Sequence, residues 1–247
     1  MSDGVNNSRR DFIAKVALAS TVTIAPGLLL HTVQAKPADQ AVTNKVRWGM
    51  LIDTNKCSKG CSACVDACDK EFALPGSMPE SSPEQKTQYI RKVTLKEKST
   101  GHELSLPLMC QHCEEPPCVD VCPTGASFKR ADGIVLVDRH ICIGCRYCMM
   151  ACPYKARSFV HEEIKNQTLD APRGKGCVES CNMCVRRVDD GKSPACVEAC
   201  DAENHNAMIF GDLNDPNSAI SVELKKNGGK QLRADLGLNT GVRYQSI

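Results

Sequence analysis

Sixteen of the 17 cysteines fall into four groups, and this spacing constrains the fold more than any other feature of the sequence. The first group is Cys57, Cys61, Cys64 and Cys68; the second is Cys110, Cys113, Cys118 and Cys122. The third is Cys142, Cys145, Cys148 and Cys152; the fourth is Cys181, Cys184, Cys196 and Cys200, with Cys177 left over just ahead of it. The odd total forbids complete intramolecular disulfide pairing. Cysteines spaced C-x2-C-x2-C are also set too tightly to staple three bridges. Four-cysteine zinc sites generally use two separated C-x-x-C knuckles, whereas the third group packs four cysteines into eleven residues. With one Trp, four Tyr and five Phe in 247 residues, an ordinary apolar core is hard to build, so something inorganic replaces part of it. The 42% hydrophobic and 24% charged content excludes wholesale disorder, and the formal charge of +2 gives no support to a broad nucleic-acid-binding face.

The third group, CIGCRYCMMACP, has the C-x2-C-x2-C-x3-C-P spacing of bacterial iron–sulfur loops. Three close thiolates let one loop wrap three corners of a [4Fe–4S] cube. Gly144 removes a side chain where the loop must pass close to inorganic sulfur, and its backbone freedom permits the turn. Loop N–H groups then point at sulfur and offset negative charge. The fourth cysteine lies too far along to close the same cube. It is expected to start a helix, with Pro153 in the first turn, and to ligate a neighbouring cluster. Clusters therefore come in pairs, and four groups imply two pairs. Group one has C-x3-C in place of C-x2-C, and group four spreads its middle gap to eleven residues, but their repetition beside the other two assigns them the same chemistry.

Residues 1–35 read as an export signal: Ser8-Arg9-Arg10-Asp11-Phe12-Ile13, a weakly apolar run from Val16 to Leu30, then Val33-Gln34-Ala35 as a small-residue cleavage site. The apolar run is diluted by Pro26 and Gly27 and is poor as a membrane span, which wants about 20 apolar residues. The paired arginines resemble a twin-arginine signal, a route that carries proteins already folded around their cofactors. No later stretch approaches a membrane span.

Beyond the signal, 36–44 is a polar leader and 46–52 a short strand entering the first cysteine loop. Leu74 to Gln88 is a polar, Pro-rich surface loop; Tyr89 to Lys96 and Ile134 to Val137 are strands. Residues 161–176 form a polar crossover, 207–210 return as a strand, and 211–247 are expected to be an irregular tail wrapped over the body. The lysines and arginines near the groups, among them Arg139, Arg146, Arg157 and Arg187, read as solvated surface, although the negative charge of clusters favours a role for some of them.

On these residues the chain resembles the four-cluster ferredoxin-type electron-transfer subunits of the dimethylsulfoxide reductase superfamily. The pieces that carry the resemblance are WGMLID at Trp48, CQHCEEPPCVDVCPTGA at Cys110, DRHICIGCRYCMMACPY at Asp138, then CNMCVRR, GKSPACVEAC and FGDLNDPNSAI. It implies an α+β fold of tandem ferredoxin-like lobes: an outer lobe of about 45–80 plus 177–215, an inner lobe of about 89–165, and a tail at 216–247. It also implies four crossed [4Fe–4S] ligand sets. These are Cys57, Cys61, Cys64 with Cys200; Cys110, Cys113, Cys118 with Cys152; Cys142, Cys145, Cys148 with Cys122; and Cys181, Cys184, Cys196 with Cys68. Two departures fall on the outer pair: Asp201 stands where a proline commonly follows the last cysteine, and Ser58-Lys59-Gly60 adds a residue to the first loop. Cys177 is read as a spare buried thiol.

Full cysteine ligation leaves no open iron for a substrate, and no nucleophile–base or metal-binding histidine pattern competes. His112 reads as a hydrogen-bonding loop residue. The chain is therefore expected to be a conductor and not a catalyst, held in the periplasm against the cytoplasmic membrane. The resemblance implies an integral membrane quinone-interacting subunit on one side and a multihaem cytochrome c or other redox subunit on the other. The SRRDFI start and the C-x3-C most resemble the iron–sulfur subunit of a sulfite-reductase-associated transmembrane complex. The alternative is the electron-transfer subunit of an exported molybdopterin reductase, for tetrathionate, polysulfide or a similar acceptor, or of a nitrite reductase system.

Overall fold

A computed structural model describes residues 41–74, 86–101, 103–165, 172–203 and 205–247. The expected signal at 1–35, most of the polar leader and 75–85 of the surface loop lie outside the described residues.

Strand β1 (Trp48–Asp53) has buried residues in an unbroken run, Met50, Leu51 and Ile52, as befits a strand covered on both faces. It is the centre of a three-stranded sheet. β8 (Met208–Asp212) pairs antiparallel on one side, and β9 (Val242–Gln245) pairs parallel on the other. Trp48 stacks on Phe210 across β1 and β8 with ring centroids 5.0 Å apart, an aromatic pairing that adds to area burial. Helix α6 (Ala219–Asn227) packs on this sheet through the fully buried Ile220. The Ser218 hydroxyl caps α6, accepting from Ser221 N at 3.2 Å.

The other sheets are hairpin-sized: β2 (Ile90–Lys96) with β3 (Glu103–Met109), β4 (Ser127–Lys129) with β5 (Val135–Val137), and β6 (Arg157–Phe159) with β7 (Val178–Ser180), all antiparallel. Short helices follow the cysteine loops: α1 (Ala63–Glu71), α2 (Pro117–Asp120), α3 (Tyr147–Ala151), α4 (Val185–Asp189) and α5 (Ala195–Ala202). Helix α1 packs against α5, and α2 against α3. Group one thus meets group four, and group two meets group three. The result is a mixed α+β fold whose principal core is made largely of cysteines together with Met50, Ile52, Phe72, Tyr89 and Tyr244.

Two expectations are corrected. Residues 211–247 are not an irregular tail: they supply α6 and β9, and Tyr244 is fully buried, donating its hydroxyl to Pro107 O at 3.0 Å. Cys152 ends a helix instead of starting one. It is the C-cap of α3 in extended conformation, with Pro153 next, because proline pushes the residue before it out of helical angles.

Candidate iron–sulfur sites

The residue immediately before the second cysteine of every group has a positive φ: Gly60 at 79°, His112 at 44°, Gly144 at 70° and Met183 at 56°. Two of the four are not glycine and hold a backbone conformation that side chains disfavour. The four loops therefore repeat one turn, the kind in which successive N–H groups line a concave, anion-accepting surface. At Gly144 the requirement is double. A Cβ there would stand 2.3 Å from Gly176 O, so the close approach that excludes a side chain is to backbone as well as to any ligand.

Two cavities sit between α2 and α3. Cys110, Cys113, Cys118 and Cys152 line one, with Tyr154 and Arg157. Cys122, Cys142, Cys145 and Cys148 line the other, with Ser127 and Arg146. Each cavity draws three cysteines from one group and one from the other. At the outer groups, thiol electrostatics report the neighbours. Burial pushes the Cys64 thiol up to about 12, and Cys57, Cys200 and Cys61 push the same way while Lys92 opposes. Burial also raises Cys68 well above the usual thiol range, followed by Cys181, Cys196 and Cys184. So Cys200 stands beside group one, and Cys68 beside group four.

Backbone N–H groups already address several sulfurs. Ser127 N donates to Cys122 Sγ at 3.3 Å, Ala156 N to Cys152 Sγ at 3.5 Å and Ala207 N to Cys200 Sγ at 3.4 Å. Met183 N donates to Cys181 Sγ at 3.4 Å. Such contacts stabilise thiolate and tune a bound centre. Lys92 anchors the enlarged first loop: its Nζ donates to Ser58 O and, at 2.5 Å, to Cys61 O. Sequence reasoning missed this lysine, since the contact joins positions 31 residues apart.

The donor set fits iron–sulfur cubes better than single ions. Among the described residues no three His, Cys, Asp or Glu converge closely enough to hold one metal ion, whereas a cube spreads its four irons around a central volume. All 17 thiols are free. Thiols buried with raised pKa are poor as lone thiolates and gain most from a metal that supplies compensating positive charge.

The remaining candidates separate. His112 is buried, its Nδ1 accepts from Val135 N at 3.0 Å, and burial, then Arg157, depresses its pKa to about 3, so it is a neutral loop anchor. Cys177 is buried, donates to Arg139 O at 3.3 Å and neighbours Cys142. The cations are not uniformly solvated: Arg157 and Arg173 are buried.

Loops, helices and cysteine cavities of this kind define a ferredoxin-type iron–sulfur protein. Residues 102–213 match the 4Fe-4S dicluster domain family. Over 97% of its length the chain is 39% identical to the Hdr-like menaquinol oxidoreductase iron-sulfur subunit 1 of Archaeoglobus fulgidus, covering 98% of that protein. It is 40% identical to a subunit of the sulfite dehydrogenase of Allochromatium vinosum, with 79% of this chain and 81% of that one aligned. It is 35% identical to a subunit of the tetrathionate reductase of Salmonella typhimurium, with 100% and 92% aligned. The chain belongs to the family of iron–sulfur electron-transfer subunits associated with the dimethylsulfoxide reductase superfamily. It is a non-catalytic electron carrier in a respiratory redox complex. Among the described residues no helix is long and apolar enough to cross a membrane.

Proposed function

We propose that the chain holds four [4Fe–4S] clusters on sixteen cysteines and passes electrons between a membrane quinone-interacting subunit and a catalytic redox subunit of an exported reductase complex. The ligand sets are Cys57, Cys61, Cys64 and Cys200; Cys110, Cys113, Cys118 and Cys152; Cys142, Cys145, Cys148 and Cys122; and Cys181, Cys184, Cys196 and Cys68. The observation that carries this reading is the pair of inner cavities, each lined by four cysteines drawn from two groups. The four-fold repeat of a positive-φ turn extends it to the outer groups. The clusters supply one-electron redox chemistry; the chain supplies thiolates, N–H donors and a dry interior. On this reading the inner lobe is about 89–165, the outer lobe about 45–80 plus 177–215, and residues 1–35 direct export.

Relatives named as subunits of a dimethyl sulfoxide reductase and of a tetrathionate reductase support a catalytic reductase as the partner over a circuit with a haem partner. The second reading keeps one support: the relative named for menaquinol oxidation aligns along nearly the full length of both chains. Electron exchange with a partner is best placed at group three. Cys145 is exposed there, beside Ile143 at 67%, Tyr147 at 54% and Met150 at 65% exposure. Iron and sulfide analysis of anaerobically purified protein tests the cluster count: about 16 of each per chain is expected, and about eight iron, or stoichiometric zinc, refutes it. Co-purifying subunits distinguish the two circuits.

A further inference from the structure

Arg157 opens β6 and is buried, with 6% of its surface exposed. Its Nη2 donates to Cys118 Sγ at 3.1 Å and to Ser127 Oγ at 2.8 Å. Cys110 and Cys148 are its other thiol neighbours. Arg157 and Cys118 line one inner cavity; Ser127 and Cys148 line the other. The guanidinium therefore stands between the two. Its Nη1 is buried and reaches no hydrogen-bond partner, and among the described residues no carboxylate forms an ion pair with it.

A guanidinium without a counter-anion is costly in a protein interior, and it cannot shed its proton to escape. Beside the neutral Ser127 hydroxyl and His112, the groups facing Arg157 that can carry negative charge are the thiols of Cys118, Cys110 and Cys148, so its charge is balanced when the cavities are anionic. We propose that Arg157 is a shared cationic bridge that raises the reduction potentials of both inner clusters and lessens the repulsion between them when reduced. The proposal rests on the cluster reading given above. A cluster held by these thiolates would become more negative by one unit on accepting an electron from a one-electron donor, and the guanidinium, which stays protonated, would offset that charge without taking or giving a proton. A fixed cation favours the more negative state of whatever it faces. Because its neighbours fall in both proposed ligand sets, Cys110 and Cys118 in one and Cys148 in the other, its effect falls on both.

The test is a potentiometric titration of the purified holoprotein, reduced with dithionite and followed by electron paramagnetic resonance, for the unaltered chain, R157Q and R157K. In R157Q two of the cluster signals are expected to titrate lower, each by at least tenfold in its reduction equilibrium, about 59 mV for one electron. R157K keeps the charge and loses the fork, so both signals should stay within tenfold of the unaltered chain. No shift in R157Q, a shift confined to one cluster, or an equal shift in R157K overturns the proposal. Should R157Q fail to load iron, pulsed resonance on protein labelled with 15N-arginine decides: nitrogen coupling to two cluster spins, lost in R157K, is expected, and its absence from either spin overturns the bridge. Low iron in the unaltered chain is a different failure, that of the cluster reading itself.

Discussion

Arg173 and Glu179 form a buried ion pair in which Nη2 stands 3.0 Å from Oε2 and Nε donates to both carboxylate oxygens, at 3.2 and 3.0 Å. Arg173 Nη1 also donates to Ala73 O at 3.1 Å, just beyond α1, and Arg139 approaches Glu179 at 3.7 Å. The pair thus ties the crossover at 172–176 and β7 to the end of the first cysteine helix.

Breaking that pair from one side should be severe. E179A leaves buried guanidinium charge uncompensated and is expected to cost about 3–5 kcal/mol. An R173M/E179L double variant, which removes both charges, should lose much less. Urea midpoints of the anaerobic holoproteins measure both; equal losses would show that packing, and not the unpaired charge, sets the cost.

Gly144 and Gly60 offer a matched comparison. Both have positive φ, but a Cβ at Gly144 meets Gly176 O at 2.3 Å while one at Gly60 meets nothing within 4 Å. G60A should cost about 1–2 kcal/mol from backbone strain alone. G144A should cost more and should reduce iron loading at the third group. Iron content and denaturation midpoints check the order.

On the crossed assignment proposed above, the consequence of a cysteine change appears at a distance. C152A is expected to disturb the cluster held by Cys110, Cys113 and Cys118, although Cys152 belongs to the next group in sequence. Loss confined to the signal of Cys142, Cys145 and Cys148 would reverse the assignment.

Iron removal should unfold most of the chain, because thiolate-bound metal contributes its binding free energy to folding. Circular dichroism of chelated protein is expected to lose its native signal. The arginines, aromatic pair and sheet would have to hold the fold alone if it did not.

Substituting Arg9 and Arg10 by lysine keeps charge but removes the guanidinium geometry. On the export reading, the cluster-loaded protein should then remain in the cytoplasm. Fractionation with iron analysis measures this, and normal export of the lysine variant contradicts the route.

The local parts of this architecture were legible in the sequence. Cysteine spacing marks the four loops, and apolar or alternating runs mark β1, β2 and β5 within a residue or two. What escaped depends on distant partners. β9 has four residues and no pattern of its own; it is a strand because β1 offers an unpaired edge. β4, β6 and β7 have three residues each, too few for periodicity to speak, whereas the equally short β5 shows through the apolar run Ile134–Val137 that follows Asp132-Gly133. The turn at His112 and Met183 was hidden because the residues there are not glycine, although the position just before the second cysteine was available as a signal. Arg157 reads as surface until the anions around it are known.

The central position of β1 sets a schedule for biosynthesis. Thr54, just past its end, donates to Gln245 O across 191 positions, and β8 also arrives late in the chain. Synthesis must therefore have reached residue 245 before this sheet can close, since pairing of such separation is intrinsically slow and comes after local structure. A chain stopped short of residue 242 lacks one edge of that sheet and leaves β1 open on that side. Closure of the sheet thus waits on residues synthesised about 190 positions apart, and β1 stays a half-paired strand until β9 reaches it.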